Sequence, residues 1–136
     1  MTEIKKLTKI AILAYGIVSL IFAIMLIFFT EIFIATLNMP SWQNPAHPRM
    51  FGGAMLVVVI FAIAVLLHKD WEWEKIKFAY EVVYPWIPIN MIIEISTLII
   101  YSSILSSQAI MQTIMDLIIM TALLILGLFA YIKQRS

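Results

Sequence analysis

The sequence predicts an all-α fold: an integral membrane antiparallel four-helix bundle, with a kinked third helix and both termini cytoplasmic. Three observations predict it. The 136-residue chain is 63% hydrophobic and only 12% charged, with a mean hydropathy of +1.02, which is too little polar surface for a soluble domain of this size. Apolar stretches recur four times, each long enough for a hydrocarbon core roughly 30 Å thick. The basic residues collect on one side of that pattern. A single transmembrane domain over 1–136 is expected, with helices over about 10–36, 49–67, 78–102 and 109–132.

The first segment runs from Ile10 to Phe29 or slightly beyond, behind Lys5, Lys6 and Lys9. It is longer than the apolar region of a secretory signal, and no small-residue cleavage site follows, so it reads as an uncleaved helix. Gly16, Ser19, Ala23 and Thr30 fall on one face, suited to close contact with another helix. Glu31 to Leu37 extends the helix or lies as a short interfacial turn. Asn38 to Pro48, with three prolines, reads as an outer loop in which Trp42 suits the interface.

Pro48 fits the first turn of segment two, which runs from Arg49 to Leu67. Gly52 and Gly53 at its start leave either room for a ligand or a close helix contact. His68 to Lys77, HKDWEWEKIK, reads as a charged connector resting on the membrane surface through Trp71 and Trp73.

Segment three, FAYEVVYPWIPINMIIEISTLIIY, is the most informative. Pro88 cannot donate to the carbonyl of Tyr84, nor Pro85 to that of Glu81, so a kink is expected at Pro85/Pro88. Beyond it, Asn90, Glu94, Thr97 and Tyr101 recur at helical spacing as one polar stripe. After a short uncharged turn, segment four carries Gln112, Asp116 and Met120 on one face and ends at Lys133 and Arg135.

Four segments put Lys5, Lys6, Lys9, Lys69, Lys75, Lys77, Lys133 and Arg135 on one side, leaving Arg49 of the nine basic residues on the other. The positive-inside rule places both termini in the cytoplasm of a cell-membrane, multi-pass protein. Short connections favour the antiparallel bundle. Counted from Lys77, Lys133 and Lys69, Glu94, Asp116 and Gly52 rise about 25 Å, into the outer third of the core, with Arg49 a turn above.

Ionisable groups at that depth are costly and mark functional candidates. An outward-facing acidic pocket is therefore expected, with Glu94, Asp116, Asn90, Gln112 and Arg49 as a ligand or proton site. Gly52, Gly53, Trp86, Met91 and Met120 would line it. Two carboxylates against one Arg leave excess negative charge, which would hold a proton or attract a cation. The plainer reading is a structural ion pair of Arg49 with these acids, tying segments two, three and four together.

Several classes are excluded or disfavoured. The absence of Cys removes disulfides, thiolate catalysis and iron–sulfur clusters. His47 and His68 fall on opposite sides of the membrane, so neither an intrachain zinc catalyst nor a haem is expected. The methionines suit a soft pocket wall better than a copper site. No Ser-His-acid set, phosphate loop or basic face for nucleic acid is visible. No cofactor or metal is expected.

Three functions fit. The first is a small ligand-binding protein or accessory subunit, in a larger membrane complex or homo-oligomer, taking a lipophilic small molecule or quinone from the lipid bilayer. The second is a membrane enzyme using the paired carboxylates for acid–base chemistry on a lipophilic substrate. No catalytic motif decides whether the chain is an enzyme. The third is a proton or cation carrier, for which the inner half offers only Tyr15, Ser19, Glu81 and Tyr84. The Pro-containing loop followed by HPRMFGGAMLVVVIFAIAVLL resembles small four-helix membrane families of the DoxX-like kind. That resemblance implies a membrane accessory or quinone-associated role. The acid-bearing third helix also looks like the sterol-isomerase-type four-helix bundles, whose pockets use carboxylates. Neither likeness assigns a site residue.

Overall fold

The computed structural model describes residues 2–37 and 45–136. Residues 38–44 of the expected outer loop, with Trp42, lie outside them. The chain is helical almost throughout: α1 (Lys6–Phe28), α2 (Thr30–Leu37), α3 (Ala46–Leu67), α4 (Trp73–Val83), α5 (Trp86–Tyr101) and α6 (Ser107–Arg135). With α4 and α5 taken together, four helical stretches are long and apolar enough to cross a membrane.

The helix expected over 10–36 starts earlier and is divided. Phe29 leaves helical geometry at φ −112°, ψ 27°. Thr30 marks the joint, because its hydroxyl donates to the carbonyls of Leu26 and Ile27, a back-bonding that bends helices. Thr30 is buried, as are Gly16, Ser19 and Ala23, so the small-residue face is a packing face. Its partner is α3. A Cβ on Gly16 would stand 2.6 Å from Ala62 Cβ, and one on Gly52 2.8 Å from Ile27 Cγ1. Residues early in α1 meet residues late in α3, and the reverse, so the two helices run in opposite senses.

The third stretch begins within the expected connector, at Trp73. Trp73 does not lie at the surface: it is buried, edge-on to both Tyr80 and Tyr131. The extended N-terminus holds this turn in place. Trp73 N–H donates to the Thr2 carbonyl at 2.8 Å, Glu3 pairs with Glu72, and the Thr2 hydroxyl donates to Glu74 at 2.7 Å. At the same end, the buried Gln134 of α6 accepts from Lys5 N–H and the Thr8 hydroxyl and donates to the Glu3 carbonyl. Both ends of the described chain are thus joined at one pole of the molecule.

Tyr84 and Pro85 separate α4 from α5. Pro88 cannot reach back to the Tyr84 carbonyl, and Ile87 N–H takes that carbonyl instead at 3.1 Å, a tighter turn that keeps the group satisfied. The Tyr84 ring fills the space a side chain on Gly127 of α6 would need. Tyr80 donates to the Gly127 carbonyl at 2.8 Å, and Tyr84 to the Ala11 carbonyl at 3.1 Å. The last helix starts at Ser107, two residues earlier than expected, because the Ser106 side chain caps it by accepting from Ala109 N–H.

Gly52 and Gly53 should respond oppositely to the same change. Gly52→Ala crowds Ile27 and Leu26 and should cost about 1–3 kcal/mol. Gly53 has nothing within 4 Å of its missing Cβ, and Gly53→Ala should gain about 0.5–1 kcal/mol. Unfolding of the two variants in mild detergent checks this order.

Candidate functional site

A cavity of about 70 Å³ lies among α1, α3, α5 and α6. From α1 it takes Tyr15, Val18, Ser19 and Phe22, which recur on one helical face. From α3 come Phe51 and Met55, from α5 Trp86, Ile87, Asn90 and Glu94, and from α6 Asp116, Ile119, Met120 and Leu123. The walls are nearly all apolar.

The break after Val83 places the acidic residue of α5. From Trp86 onward the helix restarts, and Trp86, Asn90 and Glu94 fall on its inner face. Asn90 spends one of its two amide N–H groups on the Trp86 carbonyl at 2.8 Å. On α6, Gln112 donates to Asp116 at 2.8 Å, one turn apart. Gln112 does not line the cavity itself but orients the carboxylate that does.

The polar atoms facing this cavity are poorly satisfied. Among the described residues, three buried side-chain polar atoms have no hydrogen-bond partner: Tyr15 Oη, Ser19 Oγ and Glu94 Oε2. All three residues line this cavity. Tyr15 and Ser19 are 5% and 1% exposed, so bulk water does not reach them. Leaving such a group unpaired costs about 1–3 kcal/mol each, and native proteins leave few of them. A cavity of this volume has room for water or for the polar head of a ligand.

The remaining expected site residues are placed elsewhere. Arg49 is exposed, and its Nε donates to Thr30 at 3.3 Å. Among the described residues the one ion pair is Lys77–Glu81 at 3.8 Å; Arg49 makes none with Glu94 or Asp116. Gly52 is buried against α1 rather than beside the cavity, and Gly53 faces open space. Met91 is packed against the core without lining the cavity. Of the α5 stripe only Asn90 and Glu94 reach it, for Thr97 bonds back to Ile93 and Tyr101 is half exposed. Tyr15 and Ser19 are the polar lining residues absent from the expected site. Their i, i+4 spacing, with Val18 and Phe22 beside them, is the signal that would have drawn them in.

A second cavity, about 230 Å³, lies between α4, the start of α5 and α6, beside Tyr80, Glu81, Tyr84, Pro85 and Tyr131. Its polar atoms are occupied: Glu81 accepts from Tyr131 and pairs with Lys77. Among the described residues no cluster of three or more His or acidic groups suits a metal ion. Comparison with protein-family models, with curated proteins and with solved structures finds no match.

If Arg49 and the acids are independent, Arg49→Ala and Glu94→Gln should change stability additively, within about 0.3–0.5 kcal/mol. A double-mutant cycle followed by thermal unfolding measures this. A coupling well above that range would restore the ion-pair reading.

Proposed function

We propose that this chain is a ligand-binding or accessory protein of the cell membrane that takes the head of a lipophilic small molecule into the cavity of Glu94 and Asp116. The observation that carries the reading is the convergence of all three unpartnered buried polar atoms on one apolar-walled space. Small-molecule sites are concave and mostly apolar, with a few convergent polar groups. Such a space is expensive unless something completes its hydrogen bonds.

In this reading the helices cross the bilayer as an antiparallel bundle, and the third crossing bends at Tyr84–Pro88. Both termini are cytoplasmic, as the basic residues favour, and the cavity opens toward the outer half. Two carboxylates lining one cavity also favour a second reading, acid–base chemistry on a bound lipophilic substrate. A proton-carrier reading finds less support. Tyr15, Tyr84, Tyr80 and Tyr131 follow one another ring beside ring toward Glu81, but the hydroxyls of Tyr84 and Tyr80 donate to backbone carbonyls and that of Tyr15 has no partner. They form no continuous hydrogen-bonded wire.

The orientation is checked by labelling, since the chain has no Cys of its own. On intact cells a membrane-impermeant maleimide should react with Ser103→Cys, and with Ser136→Cys only after permeabilisation. The ligand is checked by mild-detergent purification and mass spectrometry of extracted small molecules. An amphiphile should accompany the wild type in near-stoichiometric amount and be lost from Ser19→Leu, which fills the cavity and removes one polar partner. Equal recovery from a folded Ser19→Leu variant would overturn the assignment.

A further inference from the structure

We infer that the ligand is an amphiphilic amine, its cationic head bonded to Glu94, Tyr15 and Ser19 beside the carboxylate of Asp116 and its apolar tail leaving the cavity between α3 and α5. The inference rests on the ligand-binding reading above and adds the chemistry of the head and the direction of the tail.

The charge of the cavity points to the head. Glu94 and Asp116 both line it, and among the described residues no basic side chain does. Arg49, the basic group nearest in sequence to the outer half, is engaged with Thr30. Gln112 gives Asp116 one neutral donor, and Asn90 spends one of its two amide N–H groups on Trp86. The buried positions left open among the described residues are a carboxylate oxygen of Glu94 and the hydroxyls of Tyr15 and Ser19. An anionic head would face two carboxylates. A head without donors would engage the hydroxyls of Tyr15 and Ser19 and leave Glu94 unmatched. An ammonium supplies positive charge and up to three N–H donors together, enough to serve Glu94, Tyr15 and Ser19 at once. Hydrogen bonds between charged partners are about twice as strong as neutral ones.

The dimensions point to the tail. About 70 Å³ takes a small head and not an entire lipid. α3 packs on α1, and α5 on α6, and across from α3 to α5 two rings meet. Phe51 and Trp86 have centroids 6.3 Å apart and planes inclined by 30°. Both line the cavity and both are partly exposed, Trp86 by 36%. A tail passing them would enter the acyl region of the bilayer, and the ring faces would favour a cation on its way in.

The experiment uses the full chain in nanodiscs of neutral lipid, with dodecylamine, dodecanol and dodecanoate as matched probes and thermal unfolding as readout. Dodecylamine should bind about tenfold more tightly than dodecanol, with dodecanoate weakest. Glu94→Gln should erase most of that preference, while Glu81→Gln, at the other cavity, should leave it intact. Should Glu94→Gln not fold, the pair Tyr15→Phe and Ser19→Ala should weaken dodecylamine more than dodecanol. Equal binding of amine and alcohol, unchanged by these variants, overturns the cationic assignment and leaves the lipophilic-ligand reading standing. Absence of binding by all three probes overturns both.

Discussion

The close approach of α1 to α3 is the constraint on which the rest of the structure depends. Apolar side chains gain nothing by leaving lipid for one another, so helix association in a bilayer relies on backbone proximity and packing. Here Gly16 against Ala62 and Gly52 against Leu26 and Ile27 leave no room even for a methyl group. Gly16 and the Ala23 backbone of α1 are used on that contact. What remains on α1 for the other side is Tyr15, Val18 and Phe22, with Ser19 between the two faces. These larger groups hold α5 and the first half of α6 away from α3, and the cavity is the space so left. The site is a consequence of how α1 divides its circumference.

The opposite pole is built by a different device. Gly127 again permits a close approach, but to the ring of Tyr84 rather than to another backbone. Tyr80, Tyr84, Tyr131 and Trp73 pack ring against ring around it, and Gln134 ties the N-terminal strand-like segment to α6. This end has its polar atoms satisfied and its rings interlocked, whereas the cavity end keeps three polar atoms open. A rigid base beneath an unsatisfied cavity is the arrangement expected where a site is held in place by packing elsewhere.

The sequence made the helices legible because a bilayer imposes length and apolarity on every span, and because Gly16, Ser19 and Ala23 recur at helical intervals. Glu94 and Asp116 could be paired because a carboxylate in an apolar helix is rare enough to count. The misplaced site residues share one cause. Rise per residue fixes height along a helix and says nothing of direction around it. Arg49, Gly52 and Gly53 have a suitable height, yet they face Thr30, α1 and open space. Tyr15 and Ser19 count as inner-half residues, yet they share a cavity with acids placed about 25 Å up by the same rise, so counting from each helix's own lysine does not put residues on a common level. The early start of α4 escaped for another reason: its first turn is fixed by Thr2 and Glu3, partners some seventy residues distant in the chain, which no local pattern announces.

The asymmetry among the polar atoms gives the cavity its meaning. Thr8, Thr30, Thr113 and Gln134 are buried and each has a partner, so the fold satisfies polar groups where it can. Hydroxyls on transmembrane helices do so cheaply, by bonding to a carbonyl one turn back, as Ser96, Thr97 and Thr121 do. Ser19 has the same option in principle and does not take it. Tyr15 is too long to reach its own helix, and Glu94 in its ionised form has no donor to offer a carbonyl. Three groups that the fold leaves open, when it closes comparable ones nearby, amount to a preformed set of hydrogen-bonding positions.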